Sequence, residues 1–294
     1  METIVETIDE AGPFFFTSLI AGGIAGTSVD VALFPIDTLK TRAQAPSGFW
    51  KAGGFRGIYN GLGAAAAGSA PGAALFFSSY ETMKPIVAAQ QERVLGHRDE
   101  TAICHMIAAS ISEAVACLVR VPTEVIKAKM QIANVHLSLA DTIKVVLAET
   151  HGGGPLSGLT GGLYRGYGIT LFREIPFAII QFPLYEWMKV MWKDRQEAPC
   201  TPLQAAACGS GSGAVAAAAT TPLDVLKTRH MIGFDHSGRA YNGIGDVFRS
   251  TIQTDGLSAL WKGIQPRVIW ITIGGFVFFG SYEQAKSIVA PLIT

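Results

Sequence analysis

Charged residues are scarce in this chain, and the short motifs of common enzymes are missing. Only 16% of the 294 residues are charged, against about 25% in an ordinary soluble domain. No P-loop, G-x-S-x-G or H-E-x-x-H motif occurs, and the six histidines include no pair four residues apart. These absences predict that the protein is not an enzyme and that it holds neither a metal nor a cofactor.

Cysteine is equally sparse, and the charges balance. The four cysteines, Cys104, Cys117, Cys200 and Cys208, form no C-x-x-C pair. We therefore expect inert thiols rather than a disulfide framework or a zinc site. Lys plus Arg number 23, as do Asp plus Glu, so net charge favours neither a nucleic acid nor an acidic partner.

Long apolar segments are what the chain does contain. A stretch of about 20 apolar residues spans the roughly 30 Å core of a bilayer. Six segments approach this length, although several include glycine, proline or a charge: 14–34, 61–77, 102–119, 164–185, 202–221 and 268–280. Six such segments at related intervals predict an all-α membrane protein with six transmembrane helices.

Three internal repeats organise these segments. A Pro-x-acid-x-x-Lys motif, here the proline motif, begins three times: at Pro35, Pro122 and Pro222. A Tyr-Glu-x-x-Lys motif, here the tyrosine motif, also begins three times: at Tyr80, Tyr185 and Tyr282. Each of these tyrosines follows by 21 residues an aromatic residue of an aromatic-x-Gly element: Tyr59, Tyr164 and Trp261. A spacing kept through divergent copies indicates a structural repeat.

Each repeat is predicted to hold one helix ending near the proline motif, a loop, and a second helix ending near the tyrosine motif. The repeats cover about 12–92, 100–195 and 201–294 of a single domain, 1–294. The second and third loops have room for an additional amphipathic helix, near 139–149 and 244–254. The first loop is only a glycine-rich segment at 45–57.

The charges of the two motifs predict two rings of ion pairs, one at each end of the bundle. Acid and lysine lie three residues apart on one helical face, and threefold pseudosymmetry lets each carboxylate reach a neighbouring repeat. The proline-motif ring comprises Asp37, Lys40, Glu124, Lys127, Asp224 and Lys227. The tyrosine-motif ring comprises Tyr80, Glu81, Lys84, Tyr185, Glu186, Lys189, Tyr282, Glu283 and Lys286. In any single copy of either motif, the charged side chains could simply extend to the membrane interface. The matched copies instead favour two gates that open alternately.

These motifs together resemble the mitochondrial carrier family over essentially the whole chain. The resemblance implies a six-helix barrel with a central binding site, in which the proline-motif ring is the matrix gate and the tyrosine-motif ring the cytoplasmic gate. It also implies a glutamine brace nine residues after each motif proline. Gln44 and Gln131 fit this pattern, whereas Met231 occupies the third position. We therefore expect the third brace to be missing and the matrix gate to be weaker.

The same resemblance implies a multi-pass protein of the mitochondrial inner membrane with both termini toward the intermembrane space. The acidic start METIVETIDE lacks the Arg-rich character of a transit peptide. The mitochondrial address is therefore expected in the transmembrane segments.

Within the family, several segments resemble the carriers of S-adenosylmethionine. They are LFPIDTLKTR, the short loop into GIYNGL, SAPGAALFFSSYE, RVPTEVIK and TLFREIPFAIIQFPLYE. This resemblance implies exchange of S-adenosylmethionine, with S-adenosylhomocysteine as the counter-substrate. The remaining expectations are a monomer, contact with membrane lipid (cardiolipin at the matrix-side helix ends being the candidate) and no nucleic-acid partner.

Polar side chains that lie in the apolar segments but outside the rings are the substrate candidates. Asp30 and Glu113 share a helical stripe with ring carboxylates, and Arg173 and Glu174 lie near mid-membrane. Trp270 occupies the position of Arg173 when the repeats are aligned on their tyrosine motifs. A charge at the centre of a transmembrane helix costs about 2.5–3.5 kcal/mol, so we predict a water-filled polar cavity.

The chemistry of these residues suits a zwitterionic, cationic substrate. Arg173 could bind an α-carboxylate as a fork and Glu174 an α-ammonium. Asp30 or Glu113 could face a sulfonium, and Trp270 could offer an aromatic face to the cation or to adenine.

Structural readings of the same residues remain open. Arg173 and Glu174 could pair with Glu113 or with Arg120, which lies close enough to the proline-motif ring to belong to the gate. Asp30 could be a structural hydrogen-bond acceptor, and Trp270 could be packed or face lipid.

Two other functions compete with this hypothesis. A carrier of the same fold could move another amino-acid-like or nucleotide-like cofactor, although the absence of several central arginines disfavours a multiply charged nucleotide. A non-transporting receptor or adaptor is the other alternative, but a static scaffold has no use for a second gate.

Overall fold

The computed structural model describes residues 28–29, 31–95, 102–133, 138–148, 162–198, 200–275 and 277. Most of the first apolar segment and the end of the sixth lie outside these residues, as do Asp30, Tyr282, Glu283 and Lys286. The helices are α1 (31–44), α2 (Leu62–Leu95), α3 (Ala102–Ile132), α4 (Leu139–Ala148), α5 (Tyr167–Gln196), α6 (Pro202–Ala219), α7 (Thr221–Ile232), α8 (Ile244–Asp255), a 3-10 helix (Leu257–Trp261) and α9 (264–275). Within the described ranges the chain is all-α, with a single isolated β-bridge between Phe234 and Ala240.

Apolarity alone identifies few of the membrane-crossing helices. Among the described residues, Met106–Ile132 is the one helical stretch that is long and apolar enough to cross a membrane by its composition. Helix α5 carries Arg173 and Glu174 in its first third, and α2 contains several glycines and serines. These helices line a polar cavity, so the residues that make the cavity lower their mean hydropathy.

The helices run further than the motifs predict. Helices α1, α3 and α7 continue beyond the motif lysine, to residue 44, Ile132 and Ile232. Helices α2 and α5 likewise pass the tyrosine motif. The extra turn of α1 and α7 is stabilised by tertiary contacts, because Arg42 and Arg229 are fully buried there and bond distant segments.

Two of the motif prolines take different places in their helices. Pro222 lies at the start of α7, which a single residue, Thr220, separates from α6. A proline is well accommodated in a first helical turn because its missing N–H has no helical partner there. Pro122, by contrast, lies inside the continuous helix α3.

The first loop forms a series of turns over residues 45–61 instead of a helix. The buried guanidinium of Arg42 holds it by donating to the carbonyl oxygens of Gly54 at 2.8 Å, Arg56 at 2.6 Å and Gly57 at 3.2 Å. The same side chain donates to the Gln131 carbonyl at 2.8 Å. One arginine therefore shapes the short loop and joins it to the second repeat.

An ion pair joins the third loop to α7. Arg229 Nη2 lies 2.6 Å from Asp255 Oδ2 at the end of α8, and Lys262 Nζ lies 3.6 Å from the same oxygen. Burial opposes ionisation of Asp255, but the hydrogen bond and charge of Arg229, together with Lys262, hold the pKa of this carboxyl below its ordinary value. The pair therefore stays ionised at neutral pH.

Candidate functional site

The proline-motif ring is closed. Each lysine contacts the carboxylate of another repeat: Lys40–Asp224 at 2.8 Å, Lys127–Asp37 at 2.8 Å and Lys227–Glu124 at 2.7 Å. The first repeat thus reaches the third, the third reaches the second, and the second reaches the first. Three interlocked ion pairs shut this end of the bundle.

Two glutamines brace the ring. Gln44 Nε2 donates to Asp224 Oδ2 and Gln131 Nε2 donates to Asp37 Oδ2, both at 2.9 Å. Each carboxylate therefore receives an amide hydrogen bond as well as its lysine. This second donor stabilises the charged form, because a carboxylate away from bulk water needs several donors.

The third brace position is apolar. Met231 is buried and packs in a cluster with Cys117, Val121, Val125 and Val146. Its side chain also lies against Gly166, where a methyl group added to the glycine would come within 3.0 Å of Met231 Cγ. The residue that replaces the brace therefore joins the second repeat to the third through packing instead of through a hydrogen bond.

We expect Met231→Ala to lower the free energy of unfolding by about 2–5 kcal/mol, because it opens a cavity in this cluster. Met231→Leu keeps the volume and should cost less than about 1.5 kcal/mol. Melting temperatures in detergent, with both variants side by side, measure the difference. Equal losses for alanine and leucine would contradict a packing role.

Asp224 is the most heavily contacted carboxylate of the ring. Its second oxygen, Oδ1, pairs with Arg267 of α9, and Arg173 Nε lies 3.9 Å from the same oxygen. Arg267 is buried and also donates to Thr220 Oγ1 at 2.8 Å. Arg267 is absent from the residues predicted from sequence, because the sixth apolar segment begins at residue 268. The signal that could have identified Arg267 in the sequence was a basic residue directly before an apolar segment.

A cavity of about 660 Å³ lies directly on the ring. The six ring residues form its floor, and its walls carry charged and aromatic side chains: Arg120, Arg173, Glu174, Phe177, Arg267 and Trp270. Small residues also line the cavity, among them Gly68, Ser69 and Gly72. The cavity therefore combines charged and aromatic side chains with small ones that leave room for a bulky ligand.

Arg173, Glu174 and Trp270 all line this cavity. Arg173 Nη2 pairs with Glu174 of its own helix. Arg173 Nε is buried and has no hydrogen-bond partner among the described residues. The cavity wall thus presents a cation and an anion side by side, with one donor of the cation unused.

The other two candidates are placed differently. Glu113 pairs with Arg120 on the same helix and accepts a weak bond from Cys117 Sγ at 3.6 Å. Glu113 is not among the cavity-lining residues, whereas Arg120 is. Asp30 lies outside the described residues.

The tyrosine motif of the second repeat makes its contacts within one helix. Lys189 Nζ lies 3.0 Å from Glu186 Oε1 and 4.7 Å from the centroid of the Tyr185 ring. In the first repeat, Tyr80 stacks on Phe76 with ring centroids 6.1 Å apart. Lys189 is therefore engaged by its own repeat, unlike the three lysines of the proline-motif ring.

Known proteins match this chain throughout. The family described as mitochondrial carrier protein matches three times, over residues 12–91, 98–196 and 198–291. The mitochondrial S-adenosylmethionine carrier protein of Danio rerio is 47% identical over 272 residues, covering 92% of this chain and 97% of the relative. That of Mus musculus is 44% identical, covering 94% and 96%. The S-adenosylmethionine mitochondrial carrier protein homolog of Drosophila melanogaster is also 44% identical, covering 95% of both. The chain therefore belongs to the mitochondrial carrier family.

Proposed function

We propose that this protein is an antiporter that exchanges S-adenosylmethionine for S-adenosylhomocysteine across the mitochondrial inner membrane. Family membership makes it a multi-pass transporter of that membrane, not an enzyme. The observation that carries the substrate is the Arg173–Glu174 pair, which lines a central cavity in a chain whose relatives are named as S-adenosylmethionine carriers.

The charges of the cavity suit both ends of the substrate's amino-acid group. Arg173 Nε, which is buried without a hydrogen-bond partner among the described residues, is available to a carboxylate. Glu174 would then exchange part of its contact with Arg173 for the α-ammonium of the substrate. Because Arg173 and Glu174 pair with each other, neither charge is isolated before the substrate binds.

The remainder of the substrate needs aromatic and anionic surface. Trp270 and Phe177 line the same cavity, and either ring could cover adenine or the sulfonium. Glu113 could face the sulfonium only if its pairing with Arg120 loosens. We therefore place Trp270 nearer to the substrate than Glu113, and keep Asp30 as the other anionic candidate.

The closed ring supports a transport mechanism of alternating access. With the three ion pairs formed, the described ring residues cover the proline-motif end of the cavity. Asp224 connects the proposed substrate site to the gate. Its Oδ1 lies 3.9 Å from Arg173 Nε, while its Oδ2 pairs with Lys40. A substrate carboxylate that draws Arg173 away would weaken one contact of the ring.

The same proposal includes orientation and assembly. The proline-motif ring, with its braces Gln44 and Gln131, is the matrix gate, the tyrosine-motif ring is the cytoplasmic gate, and both termini face the intermembrane space. We keep the repeat limits predicted from the sequence, and the three family matches at 12–91, 98–196 and 198–291 support them. One bundle contains both gates, so a monomer suffices.

Membrane lipid is part of the proposal as well. A second cavity of about 900 Å³ lies between the first residues of α5 and those of α8 and includes Gly166 and Gly243. Backbone N–H groups at helix starts attract phosphate, so a cardiolipin phosphate fits this position.

The test is uptake of labelled S-adenosylmethionine by liposomes that contain the purified protein. We expect uptake when the lumen holds unlabelled S-adenosylmethionine or S-adenosylhomocysteine, and little uptake into empty liposomes. Protein-free liposomes and a folded variant with a broken ring serve as controls. Folded protein that exchanges neither compound would reject the substrate, and a screen of other amino-acid-like cofactors would follow.

A further inference from the structure

The loop that joins α1 to α2 carries large aromatic side chains on its outer surface. Phe49, Trp50 and Phe55 pack edge to face, with ring centroids 5.2–5.9 Å apart. Trp50 is nevertheless 76% exposed and Phe55 63% exposed. The same loop turns the small side chain of Ala52 inward, into a buried cluster with Ile232. A loop that faces water usually buries its large apolar side chains, whereas this loop exposes them and buries a small one.

The loop holds this cluster, defined as the aromatic cluster Phe49, Trp50 and Phe55, in a fixed arrangement. Arg42 donates to three carbonyl groups of the loop from the inside. Gly54 has a φ of +52°, and a Cβ added there would lie 3.0 Å from the Trp50 ring. Glycine at this position therefore permits both the left-handed turn and the close approach of the indole.

The position and charge of the loop indicate what covers it. It follows α1 directly and precedes α2, two membrane-crossing helices, so it lies where the bundle meets the bilayer surface. Lys51 and Arg56, which directly follow Trp50 and Phe55 in the sequence, are both exposed. Aromatic side chains beside exposed cations are typical of segments seated at the interface of an anionic membrane.

We propose that the aromatic cluster is a membrane anchor, which inserts into the boundary between headgroups and acyl chains of an anionic leaflet. It would serve the one repeat whose loop has no helix, whereas the other two loops present exposed apolar side chains on α4 and α8. The anchor concerns how the carrier sits in the bilayer. It does not depend on which substrate is exchanged.

The test is the depth of Trp50 in vesicles of phosphatidylcholine and phosphatidylglycerol. Subtracting the fluorescence of Trp50→Phe from that of the unchanged protein isolates the Trp50 signal from the other four tryptophans. We expect this signal to be blue-shifted, strongly quenched by lipids brominated near the headgroup, and little affected by aqueous iodide. The matched control is Trp270→Phe, whose difference signal comes from the cavity and should not respond to the brominated lipid.

Quenching of Trp50 by iodide and not by bromine would overturn the anchor, as would protection from both quenchers, which indicates a covering protein or second copy.

A second measurement compares melting temperatures in detergent and in the same vesicles. Trp50→Ser with Phe55→Ser should lose most of the rise that anionic vesicles produce, with little change in detergent. Lys51→Ala with Arg56→Ala should lose only the part that depends on phosphatidylglycerol. An unchanged rise in both double variants would also reject the proposal.

Discussion

Exchange of S-adenosylmethionine should be nearly abolished in Arg173→Ala. The substitution removes the cation that pairs with Glu174 on the cavity wall. Truncating one partner of a buried, hydrogen-bonded charge pair costs about 2–5 kcal/mol or more, and we expect the half-buried Arg173–Glu174 pair to lie near the lower end of that range. That range corresponds to a fall in exchange rate of roughly 30-fold at the least. Initial rates of labelled uptake into preloaded liposomes measure it.

Two variants separate binding from folding in this experiment. Arg173→Lys keeps the charge but loses the planar fork, so we expect partial activity with weaker apparent affinity. Arg195→Ala removes an exposed arginine from the last turn of the same helix and should exchange like the unchanged protein. If Arg173→Ala retained full exchange while folded, Arg173 would be a structural partner of Glu174 and the site would lie elsewhere.

Reversing one charge of the ring, as in Lys127→Asp, should abolish exchange, and reversing both partners should restore part of it. The single change sets two carboxylates where Lys127 and Asp37 now lie 2.8 Å apart. The paired change, Asp37→Lys with Lys127→Asp, re-forms an ion pair of opposite direction. Recovery should be partial, because Gln131 no longer has its carboxylate acceptor at position 37 and Phe34 loses the Lys127 ammonium 5.3 Å from its ring.

The control for this pair is an exposed ion pair of the same kind. Arg239 and Asp246 lie 2.7 Å apart on the third loop, and Arg239→Ala should leave exchange unchanged, because water screens an exposed pair and leaves it little net stabilisation. A double reversal that exchanges no better than Lys127→Asp alone, although folded, would count against a gate built from this ion pair.

The fold class and the family could be predicted from the sequence because they rest on spacing. The three proline motifs, the three tyrosine motifs and the constant 21-residue interval can be read directly from the sequence. The family matches confirmed the fold class and the family that they indicated. The additional loop helices were also correctly placed, with α4 and α8 beginning at residues 139 and 244 as predicted. Their amphipathic pattern is local, so no distant contact was needed to find them.

The ends of helices and the partners of individual side chains could be predicted less well from the sequence. The extra turns of α1 and α7 follow from Arg42 and Arg229, whose partners lie in other segments of the chain. The sequence left open a pairing of Arg173 and Glu174 with Glu113 or Arg120, whereas in the structure Arg120 pairs with Glu113 and Arg173 with Glu174. Whether Arg173, Glu174 and Trp270 bind substrate stays a prediction until exchange is measured.

The sequence by itself therefore determined that three repeats carry matched carboxylates and lysines, because residue type and interval are written in the chain. Only the tertiary structure decided which lysine meets which carboxylate, since Lys40 and Asp224 lie 2.8 Å apart although they belong to the first and third repeats. It also decided that Met231 joins an apolar cluster and that Arg267 pairs with Asp224. Those outcomes depend on how helices pack, and packing is set by side chains far apart in sequence that no local pattern relates.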